Sequence, residues 1–342
     1  MESKLTGMWL TVNRKCNFRC PWCYAESTNY SEDEDMPLEL AKSILDMGAD
    51  LGIKEVMLIG GEPTYYPHLF EIIQYIHDKK MKSTLVTNGY RFSDINFLKE
   101  LENTKLNSVG ISIKGGSKEQ YIQATKVDAY DNMKVGIKNL AKSKKFIVGY
   151  SVVLSKEVLP NLEDIARLVA LNPDNWLLLS FCGPIFCDSG EVVKEHMPSR
   201  EEVIKFIIEN FSSLDKILQG HINIEQAFPV CLWPSKFLDE LIKKNQIRFG
   251  CHVQTRSGLI FNGKGELIIC NSLPNFSIGQ FGKEFKNAEE FQHFWNNTQL
   301  KKFYKRFHEY PAEKCKTCKE YIDCGGGCPL HWFAYDAQTT IV

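Results

Sequence analysis

The sequence predicts an α/β protein: a partial (β/α)6 barrel followed by a small cysteine-rich domain with a β-hairpin. Three observations predict it. Over residues 1–212, short apolar, β-prone segments alternate with helix-like ones, the pattern of βαβ units and a parallel sheet. The units number six, which leaves the barrel short of the closed eight. From about residue 213 the alternation stops, and from residue 251 cysteines and glycine turns dominate.

The strand segments lie near 8–13, 55–60, 82–87, 108–113, 146–153 and 176–182. The first, Met8–Asn13, is short and apolar and reads as a buried strand. Helix segments lie near 37–51, 67–80, 93–102, 128–142, 161–171 and 199–212, the first entered through Pro37, a residue suited to a first helical turn. Residues 213–250 read as a linker with part of a helix, and residues 251–342 as the cysteine-rich unit. Within that unit, alternating apolar runs flank Asn262-Gly263, a hairpin signal.

Lys plus Arg total 41 and Asp plus Glu 42, so a net charge of −1 offers no field for nucleic acid. No apolar run reaches membrane-spanning length, and the polar start lacks the pattern of a signal peptide. A cytoplasmic location is expected, and the 12 cysteines then read as metal ligands or reactive thiols rather than disulfides.

The chemistry begins where the first strand ends, in Cys16-Asn17-Phe18-Arg19-Cys20-Pro21-Trp22-Cys23. Three thiolates on one loop can hold three irons of a cubic cluster and leave the fourth open; a zinc knuckle lacking one ligand is the plainer alternative. The second apolar run leads into Gly60-Gly61-Glu62-Pro63-Thr64. Its glycines permit close approach of backbone to a ligand, Glu62 can accept from an ammonium group, and Pro63 stiffens the turn.

This pair of motifs resembles the radical S-adenosylmethionine (SAM) enzymes. The resemblance implies that Cys16, Cys20 and Cys23 bind a [4Fe–4S] cluster whose open iron is chelated by SAM. It also implies that Gly60, Gly61, Glu62 and Pro63 meet the SAM amino group. Strand ends at Thr87, Asn88 and Ser112 would touch the SAM ribose and carboxylate, and Trp22 would pack beside adenine or in the core. Where relatives commonly carry Asp, this chain has Lys114, either solvated or facing the SAM carboxylate.

The C-terminal spacing, Cys251-x13-Gly265-x4-Cys270 and then Cys315-x2-Cys318-x5-Cys324-x3-Cys328, resembles the SPASM extension of peptide-modifying radical SAM enzymes. That pattern implies one or two auxiliary iron–sulfur clusters, [4Fe–4S] by family type. Cys251, Cys270 and Cys328 would serve the first, and Cys315, Cys318 and Cys324 the second. The pattern's final cysteine is missing; His331 and Asp336 are the nearest substitutes, and Cys231 is a candidate fourth ligand for the first cluster. A zinc knuckle is the alternative for Cys315–Cys328.

Cys182 and Cys187 follow the sixth strand, where barrel chemistry gathers. Each is either a hydrogen donor to a substrate radical or a small buried hydrophobe. The resemblance implies generation of a 5′-deoxyadenosyl radical and hydrogen abstraction from a ribosomally made peptide, with an oxidative crosslink as the expected product. Epimerisation with a cysteine donor, or dehydrogenation of a small molecule, are the alternatives. Expected partners are a precursor peptide and an external electron donor of flavodoxin or ferredoxin type. No leader-recognition domain is expected ahead of the first strand, so a separate protein would supply that role.

Overall fold

A computed structural model describes residues 4–25, 34–173, 176–187, 189–309 and 311–337 of the chain. Strands β1 (Gly7–Asn13), β2 (Glu55–Gly60), β3 (Lys82–Thr87), β4 (Ser108–Ile113), β5 (Ile147–Leu154) and β6 (Trp176–Phe181) alternate with helices as expected. The helices are α1 (Leu38–Asp50), α2 (Leu69–Asp78), α3 (Ile95–Glu102), α4 (Lys118–Thr125), α5 (Tyr130–Ser143) and α6 (Leu162–Val169). Burial follows the two periods. On β4, Val109, Ile111 and Ile113 are buried and Ser112 on the other face is half-buried; on α6, Leu162, Ile165, Ala166 and Val169 form the covered stripe.

A short antiparallel pair, β7 (Ile185–Phe186) and β8 (Val192–Val193), follows β6. Then comes α7 (Arg200–Ile217), begun by a capping box of Ser199 and Glu202. Residues 213–250 do more than link. After the end of α7 they form β9 (Ile222–Glu225), α8 (Ser235–Lys243) and β10 (Ile247–Arg248), and β9 adds in parallel to β6. These strands are two and four residues long and set among polar residues, so they leave little periodicity to read.

The C-terminal part holds α9 (His252–Thr255), β11 (Gly258–Phe261), β12 (Glu266–Ile268), β13 (Ser277–Gln280), α10 (Ala288–Trp295), α11 (Thr298–Lys305) and α12 (Tyr321–Cys324). One 11-stranded sheet runs β10-β9-β6-β5-β4-β3-β2-β1-β11-β12-β13. It is parallel from β10 to β11 and antiparallel only in the last two pairings. The expected hairpin is β11–β12, with a longer turn than Asn-Gly implies. The left-handed residue is Gly265, φ +77°, and Asn262 Oδ1 accepts from the Lys264 and Glu266 amides. Among the described residues no helix is long and apolar enough to cross a membrane.

Candidate active site

The chain leaves the carboxyl ends of β1 to β6 around one cavity of about 350 Å³. Its walls include Cys16, Cys20, Trp22 and Cys23 from the loop after β1, Gly60 and Gly61 after β2, Thr87 and Asn88 after β3, and Ser112 and Lys114 from β4. Cys182 after β6, and Asn271 and Ser272 after β12, also line it. Residues named from five separate stretches of sequence thus meet in one place.

The cysteine loop is held from several sides. Phe18 is buried, with its ring edge-on to Tyr90 and Tyr121, and the Arg19 amide donates to Thr125 O at 2.8 Å. Tyr121 and Thr125 belong to α4, a helix the sequence reading missed although Ser117-x-x-Gln120 forms a capping box. Within the loop, the Cys23 amide donates to Cys20 O, and the Phe18 amide to Cys16 Sγ at 3.4 Å.

Gly60 and Gly61 serve this loop. A Cβ on Gly60 would overlap Asn13 Oδ1, and one on Gly61 would overlap the Arg14 carbonyl. The Gly61 amide donates to Asn13 O and the Glu62 amide to Lys15 O at 2.7 Å. The glycines therefore let two backbones touch, beside the cavity they also line.

Glu62, expected to meet an ammonium group, is 1% exposed and outside the cavity lining. Its Oε1 accepts from the Thr64 amide and hydroxyl and from Thr87 Oγ1, and its Oε2 from the Asn88 amide at 2.7 Å. Burial raises its pKa against the pull of those donors. Pro63 is buried and opens the short 3-10 turn Pro63–Tyr65 that Glu62 caps. Asn88 Nδ2 donates to Asn17 Oδ1 at 2.7 Å, so the Thr87 hydroxyl and Asn88 amide are engaged within the protein. Ser112 accepts from Lys114 Nζ, and both face the cavity.

The thiols fit a cluster in kind. Cys16 is pushed up to about 11 by burial, while the Phe18 amide and Lys114 favour its thiolate. Tyr24, on the same cavity, is pushed up to about 12 by burial, and it lies within electrostatic reach of Cys16, Cys23 and Cys270. Cys182 is 5% exposed and pushed up to about 12, by burial and then Glu157. Cys187 falls elsewhere: it lines a separate cavity of about 510 Å³ with Leu273, Pro274 and Phe276.

The remaining cysteines form two groups. Cys328 is pushed up to about 12 by burial, with Cys251 and Cys270 adding to it. Cys315 is raised by burial and lies near Cys324 and Cys318. Cys231, expected with the first group, lies instead near Cys324 and Cys315, because the turn Val230–Leu232 packs on Cys324. Three successive left-handed residues, Gly325, Gly326 and Gly327 (φ +57°, +77°, +79°), shape the loop between the groups. His331 is buried against Phe228 and Tyr335 and faces Gly183 of the central cavity, and Asp336 is exposed.

Among the described residues no three His, Cys, Asp or Glu side chains converge on a single ion.

Residues 10–169 match the Radical SAM superfamily. The probable GTP 3′,8-cyclase of Sulfurisphaera tokodaii is 31% identical over 157 residues, 46% of this chain and 49% of that protein. The chain thus spans about half the length of the first curated relatives it matches. Among solved structures, anSMEcpe with bound AdoMet gives a TM-score of 0.71 at 18% identity, covering 98% of this chain and 91% of that one. Streptococcus suis SuiB bound to precursor peptide SuiA gives 0.67 at 15% identity, covering 97% and 74%. At these identities the two structures show a shared fold.

Proposed function

We propose, from the Radical SAM match over residues 10–169, that the chain is an enzyme using SAM and a [4Fe–4S] cluster to modify a ribosomally made peptide, with an oxidative thioether or C–C crosslink as product. When bound, SAM and the cluster supply a 5′-deoxyadenosyl radical that takes hydrogen from carbon. Cys16, Cys20 and Cys23 would hold that cluster. Trp22, Gly60, Gly61, Ser112 and Lys114 would form the SAM side of the cavity, with Thr87 and Asn88 fixing its rim.

One observation carries the oxidative reading. The cavity has the N-terminal cysteine trio on one wall and Asn271-Ser272 on another, directly after Cys270, which is grouped with Cys251 and Cys328. An auxiliary cluster held there would border the substrate space, where it can accept the electron that a crosslink must shed. Residues 251–342 would then be a SPASM-type unit. The peptide assignment draws support from the fold shared with anSMEcpe and with SuiB, the latter seen with precursor peptide SuiA. A nucleoside triphosphate fits less well, since Lys114 is the one cation among the described lining residues and triphosphates call for several. Cys182 favours a second reading, epimerisation, because a buried S–H stands on the same cavity.

Mass spectrometry separates the two. A crosslink removes two hydrogens, about 2 Da, whereas epimerisation leaves the mass unchanged in ordinary water and adds about 1 Da in deuterated buffer. A peptide lighter by two hydrogens is the expected product, with turnover retained in Cys182→Ala. Solvent deuterium at unchanged mass, lost in Cys182→Ala, would replace the crosslink by the epimerase.

A further inference from the structure

Resting on the auxiliary-cluster reading above, we infer that Cys231 is the fourth thiolate of the Cys315, Cys318 and Cys324 group, making that group a four-cysteine iron–sulfur site. The segment before it is fastened to the Cys324 loop. The Val230 amide donates to Cys324 Sγ at 3.4 Å. Gln226 Nε2 reaches Cys324 O at 3.0 Å and Cys324 Sγ at 3.7 Å. The Cys328 amide donates to Ala227 O at 2.7 Å, and a Cβ on Gly327 would press into that same carbonyl. Gly327 is therefore needed for the segment to lie this close.

The turn Val230–Leu232 then carries Cys231 past Cys324, within electrostatic reach of Cys324 and Cys315. Cys315 and Cys324 are buried, and Cys318 and Cys231 are exposed, so two thiols lie inside and two stand at the surface of one group. Amide donors to Cys324 Sγ suit a thiolate bound to iron. His331, the other substitute, faces Gly183 and the central cavity. Ligation exchanges the Cys231 S–H proton for an Fe–S bond and releases that proton to solvent. The electron count of the cluster does not change.

The test uses the full chain, reconstituted anaerobically with iron and sulfide, and compares iron content and Mössbauer spectra of wild type, Cys231→Ala, Cys231→Ser, Cys315→Ala and Cys270→Ala. Cys231→Ala should lower iron by about one to four per chain, through loss of the cluster or its decay to a three-iron form. Alkylation gives a second readout: the exposed Cys231 thiol should be shielded from iodoacetamide in the reconstituted protein and labelled once iron is stripped. Loss of iron in Cys315→Ala with none in Cys231→Ala, together with equal labelling in both states, would overturn this assignment alone. Iron unchanged in Cys231→Ala, Cys315→Ala and Cys270→Ala would overturn the auxiliary-cluster reading beneath it.

Discussion

Glu62 ties the turn after β2 to the end of β3, and its own amide ties both to the cysteine loop through Lys15 O. The sequence names this residue readily but leaves open whether its carboxylate meets ligand or protein, because only the fold brings Thr87 and Asn88 to it. Each carboxylate oxygen accepts from a backbone amide, Thr64 N and Asn88 N, so Glu62→Gln must set its NH2 against one of them in either orientation. The variant should lose about 1.5–3 kcal/mol of stability in urea unfolding, with SAM binding and first-cluster loading weakened as a consequence. Weaker SAM binding at unchanged stability would instead place the carboxylate on the ligand. Cys182 makes a separate prediction. Its thiol is pushed from 9.0 up to about 12 by burial, so the fold keeps the proton where a free cysteine has lost it. Iodoacetamide labelling at pH 8.5 should be slower than at a free cysteine by about a thousandfold, and should rise about tenfold with each pH unit up to about pH 12. Rapid labelling at pH 8.5, located by peptide mapping, would refute the buried placement.

At the scale of elements, legibility followed contrast. The strands β1 to β6 were readable because each is an apolar run between turn residues. Helix α4 was not, since Lys118–Thr125 buries only Tyr121, Ala124 and Thr125 in an otherwise polar stretch. That omission bears on function, because α4 holds the cysteine loop through Tyr121 and Thr125. The β11–β12 hairpin was legible while its turn was not. Asn262-Gly263 suggests a two-residue loop, yet the positive φ of +77° falls on Gly265, which also packs on Leu40. Gly265→Ala should therefore cost about 1–2 kcal/mol. Gly263→Ala should change stability little, because its nearest neighbours lie at 3.7 Å or beyond. Equal urea midpoints for the two variants would mean that the turn is of the two-residue type after all.

At the scale of the molecule, the pairing of β1 with β11 brings the two cysteine-bearing ends of the chain into one sheet, in the register Gly7↔Gly258 to Leu10↔Phe261. A single sequence cannot show so distant a pairing, nor that Cys231 from the β9–α8 segment joins cysteines from the far C-terminus. The result is three thiol groups on different segments: Cys16, Cys20 and Cys23; Cys251, Cys270 and Cys328; and Cys315, Cys318 and Cys324 with Cys231 beside them. Three cubic clusters would bring about twelve irons per chain, and about eight if one group stays empty. Replacing Cys16, Cys20 and Cys23 together by alanine should remove about four irons and abolish SAM cleavage. The C-terminal groups should keep their iron, because their ligands come from other loops and effects at separate sites add. Iron analysis of the reconstituted protein, paired with chromatographic assay of 5′-deoxyadenosine, checks both halves. Loss of all iron in the triple variant would show that the groups assemble as one unit. Stoichiometric zinc without iron in the wild-type protein would remove the cluster chemistry altogether, since a zinc ion has no electron to give to SAM.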